Sequence, residues 1–186
     1  MAPEEIYCAI GMSDLSQAAK DKLYIWQARG LRHAVTKPSW DEVFLRLAEG
    51  IKTRSSDSQT RVGAIIVNSA NHIVAAGYNG FVAGIEDELL PNYRTDEYKD
   101  KYDWVIHAEE NAILNCEHRP VGCTLYVTAH PCLSCLLRIA QAGIVRVVYN
   151  QNNVVNMLSG DEVAAKLEIA KYVLRNKVKV EGQCLN

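Results

Sequence analysis

Residues 124–149 read TLYVTAHPCLSCLLRIAQAGIVRVVY, and this stretch decides the fold. Thr124 to Thr128 reads as a strand, Cys132 to Ala142 as a helix after Pro131, and Val145 to Tyr149 as a second strand. A helix between consecutive strands is a crossover, and crossovers return the second strand parallel to the first.

Working outward, residues 161 to 175 predict a long amphipathic helix and Val178 to Val180 a last short strand. Upstream, His107 to Cys116 reads as a helix. Val62 to Val67 (VGAIIV) is a β-branched run suited to a buried strand, and Ile73 to Ala76 follows as another. The five residues between them, with Ser69 and Asn71, suit a hairpin turn. Ser39 and Glu42 after Pro38 form a capping-box signature, and Trp40, Val43, Phe44, Leu47 and Ile51 fall at helical spacing over 40–53. Together these predict an α/β fold, a mixed sheet covered by helices on both faces.

The chain has 186 residues, 48% apolar and 23% charged, with no internal repeat or Gly/Ser linker. Residues 1–38 read as an N-terminal extension. Its helix over 14–33 has an untidy stripe (Leu15, Ala18, Ala19, Lys22, Tyr24, Trp26) and closes at Thr36-Lys37-Pro38. Residues 39–186 read as the main domain, interrupted over 81–105 by a polar insert that contains LPNYRTDEYKDKYDW. A segment of that length inside a compact domain is a functional loop or a disordered one.

A net charge of −2 lacks the footprint for gripping a long polyanion, so polynucleotide binding is disfavoured. No stretch approaches the roughly 18 apolar residues of a membrane span. The start MAPEEIYCAIGMSD has no basic n-region or long apolar run, so the expected location is the cytoplasm, where thiols stay reduced. Of six cysteines, only Cys132 and Cys135 have metal-ligand spacing; Cys8, Cys116, Cys123 and Cys184 read as small apolar residues.

The chemistry lies in His107-Ala108-Glu109 and Pro131-Cys132-Leu133-Ser134-Cys135. One imidazole and two thiolates are three zinc ligands, one short of a closed structural site. The open position belongs to water, whose pKa zinc lowers from about 16 to about 7. Glu109 sits in the same helical turn as His107 and can carry protons without ligating the metal. Cys132 and Cys135, in the first turn of a helix, have their thiolates favoured by its dipole. Together the motifs fit the zinc deaminase signature H-x-E…P-C-x-x-C. The competing reading is a structural zinc site completed by Cys116 or Cys123, and a glutamate beside His107 speaks against it.

At this point residues 40 to 181 resemble the cytidine deaminase-like enzymes, and within them the deoxycytidylate (dCMP) deaminases. The resemblance rests on Arg54-Ser55, Asp57, Val62-Gly63-Ala64, Gly77-Tyr78-Asn79-Gly80, Leu90-Pro91 and Lys101-Tyr102, besides the two zinc motifs and Ala142-Gly143-Ile144. It implies a three-layer α/β/α fold with a five-stranded mixed sheet. It also makes His107, Cys132 and Cys135 the metal ligands and Glu109 the proton shuttle. Asn79 matches a residue that hydrogen-bonds the sugar, although Asn79-Gly80 also reads as a plain turn. The Ala108 backbone matches the contact to the pyrimidine O2.

The implied reaction is hydrolysis of dCMP to dUMP and ammonia, feeding thymidylate synthesis. A homo-oligomer (a hexamer or smaller) and control by dCTP and dTTP, with Mg2+ on the regulatory nucleotide, follow from the same resemblance. The sequence departs from the pattern at Phe81-Val82, at Gln59, and at Gln151-Asn152-Asn153, the last two where the phosphate is expected. Arg54 and Arg61 are substitute phosphate ligands, each also readable as a structural arginine. These departures keep deoxycytidine, dCTP and 5-substituted dCMP open as substrates. A polynucleotide-editing deaminase and a non-catalytic zinc module are the remaining alternatives. His130 reads as a turn histidine with access to the pocket, and Tyr102 and Trp104 as residues that pack the insert or stack on a base. His33, His72 and His118 read as surface residues.

Overall fold

The computed structural model describes residues 15–28, 37–86, 101–153 and 161–185. Cys8, His33, Thr36, Leu90-Pro91 and most of the polar insert lie outside the described residues. The chain divides into two compact units, Met1–Lys37 and Pro38–Asn186. The first contains helix α1 (Gln17–Ala28), with Leu15, Tyr24, Ile25 and Trp26 largely exposed, in line with its untidy stripe.

The second unit begins with α2 (Trp40–Ile51), followed by a 3-10 turn over Lys52–Arg54. Ser39 caps α2 by accepting the Glu42 N–H at 3.1 Å. The other half of the expected capping box is diverted, because the Glu42 carboxylate pairs with Arg46 one turn on. The buried face is also rotated from the expected stripe. Phe44, Leu45 and Ala48 are buried, while Leu47 is exposed and Trp40 stacks on Phe44 yet stays 58% exposed. An apolar stripe marks an approximate face, and the sheet beneath selects the residues that meet it.

Strands β1 (Gly63–Val67), β2 (Ile73–Tyr78), β3 (Thr124–Val127), β4 (Arg146–Asn150) and β5 (Lys179–Gln183) form one sheet in the order β2-β1-β3-β4-β5. β1 is antiparallel to β2 and β3, whereas β3–β4 and β4–β5 are parallel. The β1–β2 hairpin turns on Asn68, whose side chain accepts the Ala70 and His72 N–H groups, and on Asn71 at φ 62°. All five residues of β1 are buried, as a strand covered on both faces requires. Their alternation feeds two cores: Ile65 and Val67 join Phe44, Leu45 and Ala48 of α2, while Ala64 and Ile66 face the other helices.

The remaining helices are α3 (Lys101–Trp104), α4 (Ala108–Leu114), α5 (Leu133–Ala142) and α6 (Asp161–Leu174). Ala108 and Ala112 of α4, with Cys135 and Ile139 of α5, fill the core on that face. The fold is therefore the expected mixed five-stranded sheet between helices. Among the described residues no helix is long and apolar enough to cross a membrane.

Gly77 sets how closely α4 approaches the sheet. A Cβ there would lie 2.3 Å from Ala112 N and 2.5 Å from Ala108 O, both backbone atoms that cannot swing aside. Asn111 of α4 and its C-cap Asn115 use the closeness to donate to the Tyr78 and Ala76 carbonyls of the edge strand. Gly77→Ala should therefore destabilise the domain by about 1–3 kcal/mol as an overpacking change. A lowered urea midpoint at unchanged slope would show it.

Arg146 ties the far half together. Its guanidinium grips Asp41 of α2 with both nitrogens (2.8 and 2.6 Å) and donates to Glu181 of β5 at 2.6 Å. The Tyr126 hydroxyl adds a 2.7 Å bond to Asp41. The Arg146 hydrogen bonds, opposed in part by burial, hold the Asp41 carboxyl below its ordinary range. A depressed folded-state pKa gives stability that is present above the unfolded value of about 3.9 and lost as pH falls through the folded one. Asp41→Asn should flatten this acid limb, which stability curves from pH 7 downward would read.

Candidate active site

The metal cluster stands where two helices start. His107 is the N-cap of α4 and Cys132 the N-cap of α5, both extended, and Cys135 lies in the first turn of α5. Cys132 is thus one position ahead of the helix in which the spacing placed it. His107 Nδ1 lies 3.5 Å from Cys132 Sγ and 3.3 Å from Cys135 Sγ, and all three donor atoms fall within 4.8 Å of one another. Zinc bonds of about 2.3 Å to sulfur and about 2.0 Å to nitrogen, at tetrahedral angles, put such donors about 3.5 Å apart. The donor set fits zinc in kind and in spacing. Among the described residues neither Cys116 nor Cys123 joins the cluster, so no fourth protein ligand closes it.

The contacts within the cluster favour thiolate at one of its two sulfurs. Hydrogen bonding from Cys135 pulls the Cys132 thiol down to about 3, with His107 and Ser134 adding to the effect. The same contact, then burial, pushes Cys135 up. Glu109 is 5% exposed, in contact with Cys135, and burial raises its carboxyl pKa against the opposing pull of its own backbone amide and His107. A buried carboxyl that keeps its proton more readily is suited to general acid–base work.

Glu109, His107, Cys132 and Ala108 share the wall of one pocket with Asp57, Thr60, Val62, Asn79, Lys101, Val105, Ala129 and His130. Ala108 is the first residue of α4, so its amide has no intrahelical acceptor. Asn79 is buried, and its side chain is engaged: Oδ1 accepts the Val62 N–H at 2.7 Å, and Nδ2 donates to Thr60 O and Asp57 Oδ2 at 2.8 and 3.3 Å. It braces the loop between residues 57 and 62 as well as lining the pocket.

Arg54 and Arg61 are placed elsewhere. Arg54 is exposed, 6.0 Å above the Tyr78 ring, and Arg61 is exposed with its Nε on Asp57 O; neither lines the pocket. The 151–153 segment, where phosphate contacts were expected, is occupied with the C-terminal strand: Gln151 N–H donates to Gln183 O and Asn152 Nδ2 to Leu185 O. His130 does line the pocket, its ring edge-on to Tyr149 at 4.6 Å. His72 and His118 are exposed as expected, and Trp104 is 52% exposed. Lys101 and Asp57 carried no assigned role in the sequence reading. They form a buried ion pair of 2.6 Å in the pocket wall. The signal was Lys101-Tyr102 at the end of the insert, but nothing local connects it to Asp57.

A three-layer α/β/α domain that converges a histidine and two cysteines on a buried glutamate is the architecture of zinc-dependent deaminases. The profile of the cytidine and deoxycytidylate deaminase zinc-binding region matches residues 38–151, and the chain belongs to that family. The deoxycytidylate deaminase of Homo sapiens is 47% identical over 113 residues, 59% of this chain and 64% of that one. The deoxycytidylate deaminase of Mycobacterium phage D29 is 36% identical over 125 residues, 62% of this chain and 97% of that one. Among solved structures, the dCMP deaminase of cyanophage S-TIM5 in complex with dCMP and dUMP superposes with a TM-score of 0.60. It is 27% identical, and the match covers 80% of this chain and 99% of that one. The match to the human enzyme thus spans less than two thirds of that enzyme's length.

Proposed function

We propose that residues 39–186 form a zinc-dependent hydrolase that converts dCMP and water to dUMP and ammonia. The observation that carries this is Glu109, buried beside the three-donor cluster in the wall of one pocket. Held by His107, Cys132 and Cys135, zinc would supply a Lewis acid that brings the pKa of water near 7. Glu109 takes a proton from the water that adds to C4 of the base and passes it to N3. It then carries the remaining hydroxyl proton to the departing amine, so the ring keeps N3–H and a C4 carbonyl while ammonia leaves. The Ala108 amide is proposed to hold the pyrimidine O2 and Asn79 the sugar. The names of the relatives, with the dCMP and dUMP held by the cyanophage enzyme, support the nucleotide.

A second reading, the uncharged nucleoside deoxycytidine, is favoured by the lining itself. Among the described pocket residues the one lysine or arginine is Lys101, already paired. Release of ammonia from deoxycytidine, dCMP, 5-methyl-dCMP, dCTP and a cytosine-containing oligonucleotide decides between them. Selective turnover of dCMP supports the first reading. Turnover of another member with dCMP inert replaces it, and salt-sensitive binding of the oligonucleotide revives a polynucleotide substrate. Repeating the assay with dCTP or dTTP, with and without Mg2+, tests the proposed feedback; sedimentation tests the proposed homo-oligomer. The reduced thiols the cluster needs are in keeping with a cytoplasmic setting.

A further inference from the structure

Ser134 stands inside the Cys132–Cys135 loop, outside both the donor set of the cluster and the wall of the pocket. It is the second residue of α5, its side chain is exposed, and its hydroxyl oxygen lies 3.1 Å from Cys132 Sγ. That separation is a hydrogen bond in which either atom could hold the proton. Metal binding fixes the direction. A sulfur that ligates zinc is a thiolate with no proton to give, so the hydroxyl donates and the sulfur accepts. With a charged acceptor such a bond is stronger than its neutral counterpart. Burial does not oblige Ser134 to make it, because an exposed hydroxyl is served as well by water.

The two sulfurs differ in what faces them. Cys135 Sγ is against the Glu109 carboxyl, whereas Cys132 Sγ takes the Ser134 hydroxyl. His107 Nδ1 lies 3.3 Å from the one and 3.5 Å from the other, so the imidazole hardly tells them apart. The difference has a chemical consequence. Two thiolates cancel the double positive charge of zinc, and the electron density each one gives weakens the cation as a Lewis acid. A hydrogen bond to one sulfur keeps part of that density on the sulfur, which is how groups around a metal site tune the metal.

We propose that Ser134 is a positioning residue of the metal site, whose hydroxyl bonds the Cys132 thiolate and restrains the charge that this sulfur gives to zinc. Ser134 does not line the pocket, so it acts through Cys132 rather than on substrate. The inference rests on the zinc-dependent reading above and on no particular cytosine substrate.

The test loads the full chain with Co2+ in place of zinc, in the wild type, in Ser134→Ala and in Ser134→Thr. The near-ultraviolet band that moves charge from thiolate to cobalt reports on the sulfur directly. In Ser134→Ala it should shift to longer wavelength, because the sulfur electrons are held less tightly. In Ser134→Thr, which keeps the hydroxyl, it should stay at the wild-type position. With zinc bound, Ser134→Ala should lose about tenfold in kcat at unchanged metal content, and Ser134→Thr should recover it. The side chain is exposed, so alanine opens no cavity and the fold should be kept. A band that stays put in Ser134→Ala overturns the assignment whatever happens to activity, since a role in helix stability alone would not move it. Wild-type protein that takes up neither cobalt nor zinc would sink the zinc reading, and this inference with it. A shifted band in a protein that releases no ammonia would sink the reaction alone and leave Ser134 in its role.

Discussion

Glu109→Gln should lower turnover by about 10² to 10⁴-fold, the usual contribution of a positioned acid–base group, while leaving zinc bound and the fold intact. The reasoning is geometric. Glu109 lies in the first turn of α4 and touches Cys135, but the three donor atoms that cluster are His107 Nδ1 and the two sulfurs. Glutamine fills the same buried space without a charge and cannot shuttle a proton. Turnover should therefore fall in kcat and kcat/KM together, with little change in KM. Zinc measured with a chromophoric chelator after unfolding separates the roles. If metal disappears along with activity, Glu109 is part of the ligand set and the proton-carrier assignment is wrong.

His107→Ala and Cys132→Ala should do the opposite, losing the metal first and activity as a consequence. A metal that binds only the folded chain stabilises it by about 4 kcal/mol at a thousandfold excess over its Kd. For a domain of this size, each kcal/mol is worth about 2–4 °C, so the unfolding midpoint should drop by about 8–16 °C. The same drop should follow when wild-type protein is stripped with a chelator, and the variants should then show no further response to chelation. A chelator effect of equal size in the variants would mean that the stabilising cation sits elsewhere.

What the sequence revealed of all this depended on the distance over which each interaction acts. His107 and Glu109 share one helical turn, and Cys132 and Cys135 another, so the spacing alone placed them together. The strand–helix–strand pattern of residues 124–149 likewise carries its own periodicity, and β3, α5 and β4 appeared within a residue of where it put them. The Lys101–Asp57 pair was illegible because its members are 44 residues apart, across the hairpin and the polar insert. Arg54 and Arg61, readable as phosphate ligands or as structural arginines, are the converse case. Both lie near the loop that builds the pocket, but each extends outward, and closeness in sequence says nothing about which side of a loop a side chain takes. The rotated face of α2 has the same origin, since Leu45 and Ala48 are buried by a sheet that the helix alone does not specify.

The hydrogen bonds that join β4 to the end of the chain bear on how much of this protein is needed for a soluble domain. The match to the family profile ends at residue 151, just after β4, yet β4 is paired along its whole length with β5, from Arg146–Lys179 to Asn150–Gln183. A chain ended at the family boundary would turn β4 into an open edge. Val147 and Val148 would then flank a row of unpaired amides and carbonyls, the arrangement that recruits strands from other molecules. It would also strip Arg146 of Glu181. None of the described pocket-lining residues belongs to the last strand; as the sheet's edge it sets Lys179, Glu181 and Gln183 where Val147 and Val148 would otherwise stand.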